Sequence, residues 1–227
     1  MKKGYTHIAM ILDRSYSMHS IAKDTIEGYN KFIEDQKLVP GKATVTLVKF
    51  DHEYDLVHNF TDIHDVNQLT TENFVPRGGT ALYDAIGFTV NVLAEKIAKL
   101  SDEDKPEKIV ICMLTDGEEN KSSEFNSDDV KSLITDKESN GWEFVFLGAN
   151  QDSILTAKNI GIAACNTMSY ASNSVGTRSA FDNLSKKSMI YRSSSGGKGS
   201  LCFSADDRIE QVKLGAVVDS VTNDLIK

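Results

Sequence analysis

Residues 8–18 read IAMILDRSYSM, an apolar run that is followed at once by polar residues. Residues 8–12 form an apolar run that predicts a buried strand. The run ends abruptly, and Asp13, Ser15 and Ser17 then place an oxygen-bearing side chain at every second position. In open α/β sheets, sites form at the carboxyl ends of strands, so the pattern indicates a polar site at the end of this strand.

The length, composition and net charge of the chain limit the class of protein to which it can belong. Its 227 residues are 40% hydrophobic and 26% charged, which predicts a soluble globular α/β domain with or without a tail. The formal net charge of −8 argues against non-specific binding of nucleic acid, which needs clustered Lys and Arg. No signal peptide or membrane span is expected, since no apolar run is long enough. Three cysteines without metal-like spacing suggest a reducing compartment, so we expect a cytoplasmic protein.

Strand patterns alternate with helix patterns along the chain. Apolar or alternating runs predict strands at residues 6–12, 42–51, 53–60, 108–116 and 142–150, with the second and third paired as a hairpin. Helical spacing predicts helices at about residues 21–38, 80–100, 127–139, 151–161 and 171–192, the third capped by Ser127. This order predicts a mainly parallel central sheet with one antiparallel edge strand and helices on both faces.

The C-terminal part of the chain differs in composition. Residues 193–200 read SSSGGKGS, which indicates a flexible linker. We therefore divide the chain into a domain over 1–192, the linker over 193–200 and an extension over 201–227. The extension is either docked on the domain or an arm that orders on contact.

Three strand ends carry oxygen-bearing side chains. They are the Asp13, Ser15 and Ser17 segment, the glycine loop leading to Thr80, and the turn at Asp116. Carboxylates and hydroxyls without His or Cys favour a hard cation such as Mg²⁺ or Mn²⁺ over zinc. Two carboxylates leave such an ion under-neutralised, so it would still attract an anionic oxygen.

Together these segments resemble the von Willebrand factor A (VWA) domain, whose metal-ion-dependent adhesion site (MIDAS) is written D-x-S-x-S, then a Thr, then an Asp. The matching residues are Asp13, Ser15 and Ser17 in DRSYS, Thr80 in GGTALYDAI, and Asp116 in LTDGEEN. The order and spacing of elements also match over roughly residues 5–192. The single domain and Ser/Gly tail look like the small members found in bacteria and their phages.

The resemblance implies a Rossmann-like VWA fold, a metal site and a function. Mg²⁺ or Mn²⁺, with Ca²⁺ less favoured, would be bound directly by the three hydroxyls and directly or through water by the two carboxylates. An open position would take a Glu or Asp carboxylate of a partner protein, and the chain would not be an enzyme. Gly79, Asp84 and Gly117 are assigned supporting roles.

The same residues also have simpler explanations. Asp13 is a possible helix N-cap, with Ser15 and Ser17 as turn residues. The glycine pair before Thr80 and the turn at Asp116 have the composition of ordinary turns. Asp84 either steadies the Thr80 loop or is a first-turn acid favoured by the helix dipole.

Two other functions compete with metal-dependent binding. A Mg²⁺-dependent phosphohydrolase would use D-x-D-x-T, but Ser15 stands where that motif has its second acid. Self-assembly would instead bring an acid of one copy's tail to the metal of the next, giving a homo-oligomer through the extension. Its candidate acids are Asp206, Asp207, Glu210, Asp219 and Asp224.

Overall fold

A six-stranded sheet forms the centre of the protein, in a computed structural model that describes residues 1–150, 152–194 and 201–225. The strands are β1 (Lys2–Asp13), β2 (Ala43–Phe50), β3 (Tyr54–Asp62), β4 (Pro106–Thr115), β5 (Trp142–Ala149) and β6 (Thr167–Tyr170). Their order across the sheet is β3-β2-β1-β4-β5-β6. Only the β2–β3 pair at one edge is antiparallel, and the other four pairs are parallel. The predicted fold class is confirmed.

Helices connect the strands and cover the sheet. Those described are α1 (Ala22–Lys37), α2 (Leu82–Ala98), α3 (Ser127–Ser139), α4 (Ser153–Asn159), α5 (Ser174–Ser193), α6 (Ala205–Lys213) and α7 (Ser220–Leu225). Short 3-10 turns lie at Tyr16–Ile21, Ile63–Asp65 and Ala164–Asn166. None of the helices in the described ranges is long and apolar enough to cross a membrane.

The two faces of the sheet build two separate apolar cores. Side chains alternate along a strand, so Ile8, Met10 and Leu12 of β1 join the core under α1 and α5. Ala9 and Ile11 point the other way and join the core under α2, α3 and α4. A strand buried on both faces reads as a continuous apolar run, which explains why β1 and β4 are visible in the sequence. At the ends of these central strands, the chain must turn away, and the polar segments lie there.

The structure differs from the sequence prediction at three places. The strand β6 was not predicted, because TMSY is too short and too polar to show a period. The helix expected over 171–192 begins at Ser174 and is followed by α6 and α7. The N-cap of α3 is Asn126 and not Ser127: its side chain accepts from the N–H groups of Asp128 and Asp129, and the Asp129 carboxylate accepts from the Asn126 N–H in return. This reciprocal capping box satisfies N–H groups on both sides of the helix start.

The residues after α5 contact the domain. Leu201 and Phe203 are buried in the core under α1 and α5. The Gln211 side chain accepts a hydrogen bond from the N–H of Ala171 at 3.0 Å and donates one to the Gly176 carbonyl at 3.2 Å. Of the predicted linker, residues 195–200 lie outside the described residues. The domain boundaries stay a prediction.

Candidate metal centre

Asp13 is the last residue of β1, and the fold buries it completely. Its Oδ1 accepts a hydrogen bond from the Ser15 N–H at 2.6 Å, and its Oδ2 accepts one from the Thr115 hydroxyl at 2.5 Å. Burial raises the pKa of the carboxyl to about 6, with the hydrogen bonds from Thr115 and Ser15 acting in the opposite direction and the charge of Asp116 adding to the rise. The carboxylate therefore ties the loop after β1 to the end of β4.

The three predicted hydroxyls meet at Gly117. A Cβ placed on Gly117 would lie 3.1 Å from Thr80 Oγ1, 3.2 Å from Ser17 Oγ and 3.9 Å from Ser15 Oγ. The hydroxyls of Ser15 and Ser17 are themselves 3.0 Å apart. Residues from three separate loops thus surround one small space, which the missing side chain of Gly117 leaves open.

Asp116 follows β4 and adds the second carboxylate. Its Oδ1 accepts a 2.5 Å hydrogen bond from the Ser17 hydroxyl, and its backbone carbonyl accepts one from the Asn150 side chain at 3.1 Å. Burial raises the pKa of Asp116, while the Ser17 hydrogen bond opposes that rise. The structure therefore brings all five predicted ligands to one end of the sheet.

The loop that carries Thr80 is held on both sides. Toward β1, the Tyr16 N–H donates to the Gly78 carbonyl at 3.1 Å. Toward β4, the Thr80 N–H donates to the Asn120 side chain at 3.1 Å, and the Thr80 carbonyl accepts from the N–H groups of Asn120 and Lys121. At Gly79 a Cβ would lie 2.7 Å from Asn120 Oδ1 and 2.6 Å from Lys121 Cγ, so the close approach of the loops requires glycine there. These contacts fix the position of Thr80.

The carboxylates of two acids near the site accept hydrogen bonds from backbone N–H groups. Asp84 accepts hydrogen bonds from the N–H groups of Ser123, Glu124 and Phe125 at 2.8–3.0 Å. Glu119 accepts from the N–H groups of Tyr83 and Ser122, among others. Asp84 is a first-turn acid of α2, as expected, and its carboxylate anchors the loop after Asp116 and not the Thr80 loop directly.

A model of the von Willebrand factor type A domain family matches residues 7–186. The chain belongs to this family. No curated protein matches the chain in sequence.

Solved structures share the VWA fold with this domain. Proximal thread matrix protein 1 from the mussel byssus, in a structure with a zinc-occupied MIDAS motif, is 16% identical, with 82% of this chain and 46% of that chain covered and a TM-score of 0.57. The vWF domain of the type V pili tip protein Mfa5 from Porphyromonas gingivalis is 11% identical, with 85% of this chain and 98% of that chain covered and a TM-score of 0.57. The pilus adhesin SpaC from Lactobacillus rhamnosus GG is 14% identical, with 84% of this chain and 31% of that chain covered and a TM-score of 0.61.

At these identities, the likeness shows the fold alone. The VWA chain described here spans about half the length of the mussel protein, whose structures are covered to 46%. What the larger proteins bind therefore does not transfer with the fold.

The donor set of this VWA domain fits a hard metal ion. All five side chains offer oxygen, and hard cations such as Mg²⁺ take oxygen ligands. In residues 1–150, 152–194 and 201–225 no group of three or more His, Cys, Asp or Glu side chains is arranged to hold a metal ion. The Tyr170 hydroxyl has no hydrogen-bond partner among the described residues, and burial, followed by the charges of Asp116 and Asp13, raises its pKa well above the usual value.

A positive charge next to the site is directed away from it. Arg14 stands between Asp13 and Ser15 in the sequence, but its guanidinium donates to Asp51 at 3.0 Å and to Asp55 at 3.2 Å. Because Asp51 is fully buried, the charge attraction between Arg14 and Asp51 is less screened by water than that of a surface ion pair. Arg14 therefore pairs with acids outside the site and not with Asp13 or Asp116.

Sequence reasoning gave no role to two residues that position the site. Thr115, whose hydroxyl donates to Asp13, lies at a strand end predicted to carry polar oxygens but is not among the predicted ligands, and Asn120, whose amide oxygen accepts from the Thr80 N–H, lies in a predicted loop. A polar side chain at the buried end of β4 was the available signal for Thr115. Asn120 had no local signal, because its partner lies 40 residues away.

Proposed function

We propose that this VWA domain is a non-enzymatic interaction module that binds a partner protein through a divalent metal ion at the site around Gly117. The observation that supports the proposal is the convergence of three hydroxyls and two carboxylates from three loops. The fold delivers these groups without any His or Cys among them. Mg²⁺ or Mn²⁺ is the ion that this oxygen set favours.

The five side chains divide into two roles. Ser15, Ser17 and Thr80 would hold the metal through their hydroxyl oxygens. Asp13 already accepts a hydrogen bond on each carboxylate oxygen, so we assign it to orienting the loop and to holding the metal through water. Asp116 accepts a hydrogen bond from the Ser17 hydroxyl and brings the second negative charge.

The bound ion would supply an electrophilic position that accepts an oxygen from outside the chain. The five residues carry at most two negative charges between them, and hydroxyls add none. A Glu or Asp carboxylate of the partner is the ligand that would complete the charge balance. No arginine of the loop competes for that carboxylate, because Arg14 is paired with Asp51 and Asp55.

The rim of the site offers contact area for a partner. Tyr16 lies between the two serines in sequence and is 71% exposed. Its ring lies 6.2 Å from that of His19, which is also exposed. Exposed aromatic residues are enriched at protein interfaces, since they bury a large area at a small entropic cost.

The competing functions find less support. A phosphohydrolase would need an acid at the position of Ser15, and the nearby acids Asp84 and Glu119 are bound to backbone N–H groups. For self-assembly through the extension, Asp219 is buried against Ser169 and Asp207 caps α6. A homo-oligomer formed through the remaining tail acids is the alternative, and the cytoplasmic location stays a prediction.

Metal binding is the first test. Titration calorimetry with Mg²⁺ and with Mn²⁺ should give saturable binding to the wild-type chain and at least about a tenfold loss of affinity for Thr80→Ala, a loss of about 1.4 kcal/mol. Thr71→Ala, at an exposed position outside the site, is the matched control. Equal metal affinity of the two variants, with both folded by circular dichroism, would refute the site.

Carboxylate capture is the second test, with acetate as the probe. Amide NMR shifts of the residues around Gly117 should respond to acetate in Mg²⁺ but not in EDTA, and not in Thr80→Ala. A partner captured from a lysate in Mg²⁺ should then lose binding when its contacting Glu or Asp is changed to the amide. Acetate shifts that persist in EDTA would show that the metal does not mediate the contact.

A further inference from the structure

Two cysteines from distant parts of the chain meet at one asparagine. Cys165 lies in the 3-10 turn before β6, and its thiol donates to Asn166 Oδ1 at 3.3 Å. Cys202 lies beyond α5, and its thiol donates to the same oxygen at 3.7 Å across 36 residues. The two sulfur atoms therefore share one acceptor.

The backbone holds the two cysteines side by side. The N–H of Phe203 donates to the Cys165 carbonyl at 2.8 Å, which joins the two segments directly at the cysteine positions. Leu201 and Phe203, on either side of Cys202, are both buried, so this segment is fixed in the core. Arg208 of α6 adds a second tie by donating to the Ala164 carbonyl at 2.6 Å.

Access differs between the three cysteines of the chain. Cys165 is exposed and Cys202 is half-buried, whereas Cys112 is buried in the centre of β4. Solvent therefore reaches the pair but not the third thiol.

We propose that Cys165 and Cys202 form a disulfide site that staples the C-terminal extension, residues 201–225, to the domain under oxidising conditions. Neither MIDAS residues nor the proposed partner take part in it. The site depends on contacts that join the turn before β6 to the segment before α6.

The oxidant that we name is a small disulfide such as oxidised glutathione. The exposed Cys165 thiolate attacks one glutathione sulfur, the glutathione S–S bond breaks, and one glutathione thiolate leaves. The Cys202 thiolate then attacks the Cys165 sulfur, the protein S–S bond forms, and the second glutathione thiolate leaves. The two thiol protons of the protein end on the two glutathione molecules, so atoms and electrons balance.

The environment makes this oxidation slow at neutral pH. Burial and then the neighbouring Cys202 raise the pKa of the Cys165 thiol to about 11, although Arg208 acts in the opposite direction. Since the thiolate is the attacking species, the rate should rise about tenfold for each pH unit below that pKa. The pair thus suits a lasting structural bond better than a fast redox sensor.

The bond should have two measurable effects on the protein. It closes a long loop, which lowers the entropy of the unfolded chain and should raise the midpoint of thermal unfolding by roughly 10 °C. It should also slow hydrogen exchange of the amides in α6, Ala205–Lys213, because that helix follows the staple directly.

The test incubates the native chain with oxidised glutathione at pH 7 and pH 9, alkylates the remaining thiols and maps the peptides by mass spectrometry without reduction. The expected product is a peptide pair linked through Cys165 and Cys202, and it should form faster at pH 9. Cys112 should be alkylated only after the protein is unfolded. The same oxidation in concentrated urea should scramble the three cysteines, which shows that the native fold selects the pair.

Cys165→Ser and Cys202→Ser are the matched variants, and each should keep glutathione on the remaining thiol without the rise in unfolding midpoint. A native product in which Cys165 carries glutathione while Cys202 stays free would overturn the proposal. The proposal would also be overturned if oxidation of the wild-type chain changed neither the midpoint of thermal unfolding nor the hydrogen exchange of the α6 amides. This comparison between the oxidised and the reduced wild type needs no variant.

Discussion

The hydroxyl of Ser17 donates a 2.5 Å hydrogen bond to Oδ1 of Asp116, 99 positions further along the chain. The bond links the loop after β1 with the loop after β4, so two of the three segments of the candidate metal centre meet at these side chains. Asp116 is 2% exposed, whereas Ser17 is exposed. Ser17 therefore forms the solvent side of the site, where a partner would approach.

Ser17→Ala should weaken Mg²⁺ binding by at least about tenfold while leaving the fold intact. The substitution removes one proposed ligand oxygen and the hydrogen bond that orients Asp116, and a tenfold change corresponds to about 1.4 kcal/mol. Titration calorimetry gives the affinity, and thermal unfolding without metal checks the fold. Stability without metal should fall by roughly 1 kcal/mol, because the buried Asp116 carboxylate loses one hydrogen-bond donor.

Ser20→Ala is the control for this variant, since Ser20 is exposed in the same 3-10 turn. It removes the same hydroxyl from the same turn but not from the site. Identical Mg²⁺ affinities for the two variants would exclude Ser17 as a ligand.

The ends of the strands were predictable from the sequence, because a strand that is buried on both faces consists of consecutive apolar residues. Residues 8–12 and the run before Thr115 show where β1 and β4 stop, and the polar residues that follow must lie at one end of a parallel sheet. The spacing of Asp13, Ser15 and Ser17 then suggested that the oxygens act together. The local pattern gave the sheet and the three polar strand ends, and the resemblance to the VWA family gave the ligand set.

The positioning contacts were not predictable, because they join residues far apart in sequence whose types are ordinary for loops. Thr115 reaches Asp13 across 102 positions, and Cys202 shares the Asn166 oxygen with Cys165 across 36. The polar side chain at the buried end of β4 is a signal for Thr115 itself, but no local pattern marks Asp13 as its partner or joins the two cysteines. The strand β6 was missed for a related reason: its burial comes from the elements packed around it and not from an apolar sequence of its own.

Gly117→Ala should reduce metal binding more than it reduces stability. The added methyl group would lie 3.1 Å from Thr80 Oγ1 and 3.2 Å from Ser17 Oγ, so the two hydroxyls must separate by a few tenths of an ångström. The substitution therefore fills the space where the hydroxyls converge. Calorimetry with Mn²⁺ and urea unfolding measure the two effects on the same sample.

Glu118→Ala changes the adjacent, exposed residue and is the control for the loop itself. It should retain most of the metal affinity, apart from a small loss of negative potential. An affinity for Gly117→Ala at the wild-type level would show that the space around Gly117 is not where the metal binds.

Asp84→Ala should destabilise the protein by about 2–3 kcal/mol, because three backbone N–H groups lose a charged acceptor. The loop after Asp116 should loosen, so hydrogen exchange of Ser123, Glu124 and Phe125 should accelerate. Asp128→Ala, a first-turn acid of α3, should cost less than about 1 kcal/mol through the helix dipole alone. Equal costs in urea unfolding would show that Asp84 acts only as a first-turn acid.

Protonation linked to His7 should lower the free energy of unfolding as the pH falls below about 6.5. Its ring is fully buried, contacts Thr44 Oγ1 through Nδ1 at 2.8 Å and stacks on Phe60 at 3.7 Å. Burial, with a smaller contribution from the charge of Lys96, lowers its pKa from 6.5 to about 3. Between these values the unfolded chain binds a proton at His7 that the native protein does not bind, so protonation favours unfolding.

The expected loss is up to about 1.4 kcal/mol for each pH unit from pH 6.5 down to pH 3, with no contribution from His7 above that window. Other groups also titrate there, so the measurement is the difference in free energy of unfolding between the wild type and His7→Gln, taken by urea unfolding from pH 4 to pH 8. The advantage of the wild type should shrink as the pH falls, because His7→Gln has no proton to take up. His64→Gln, which removes an exposed imidazole, is the matched control. The same pH dependence in both variants would contradict a neutral His7 buried in the native fold.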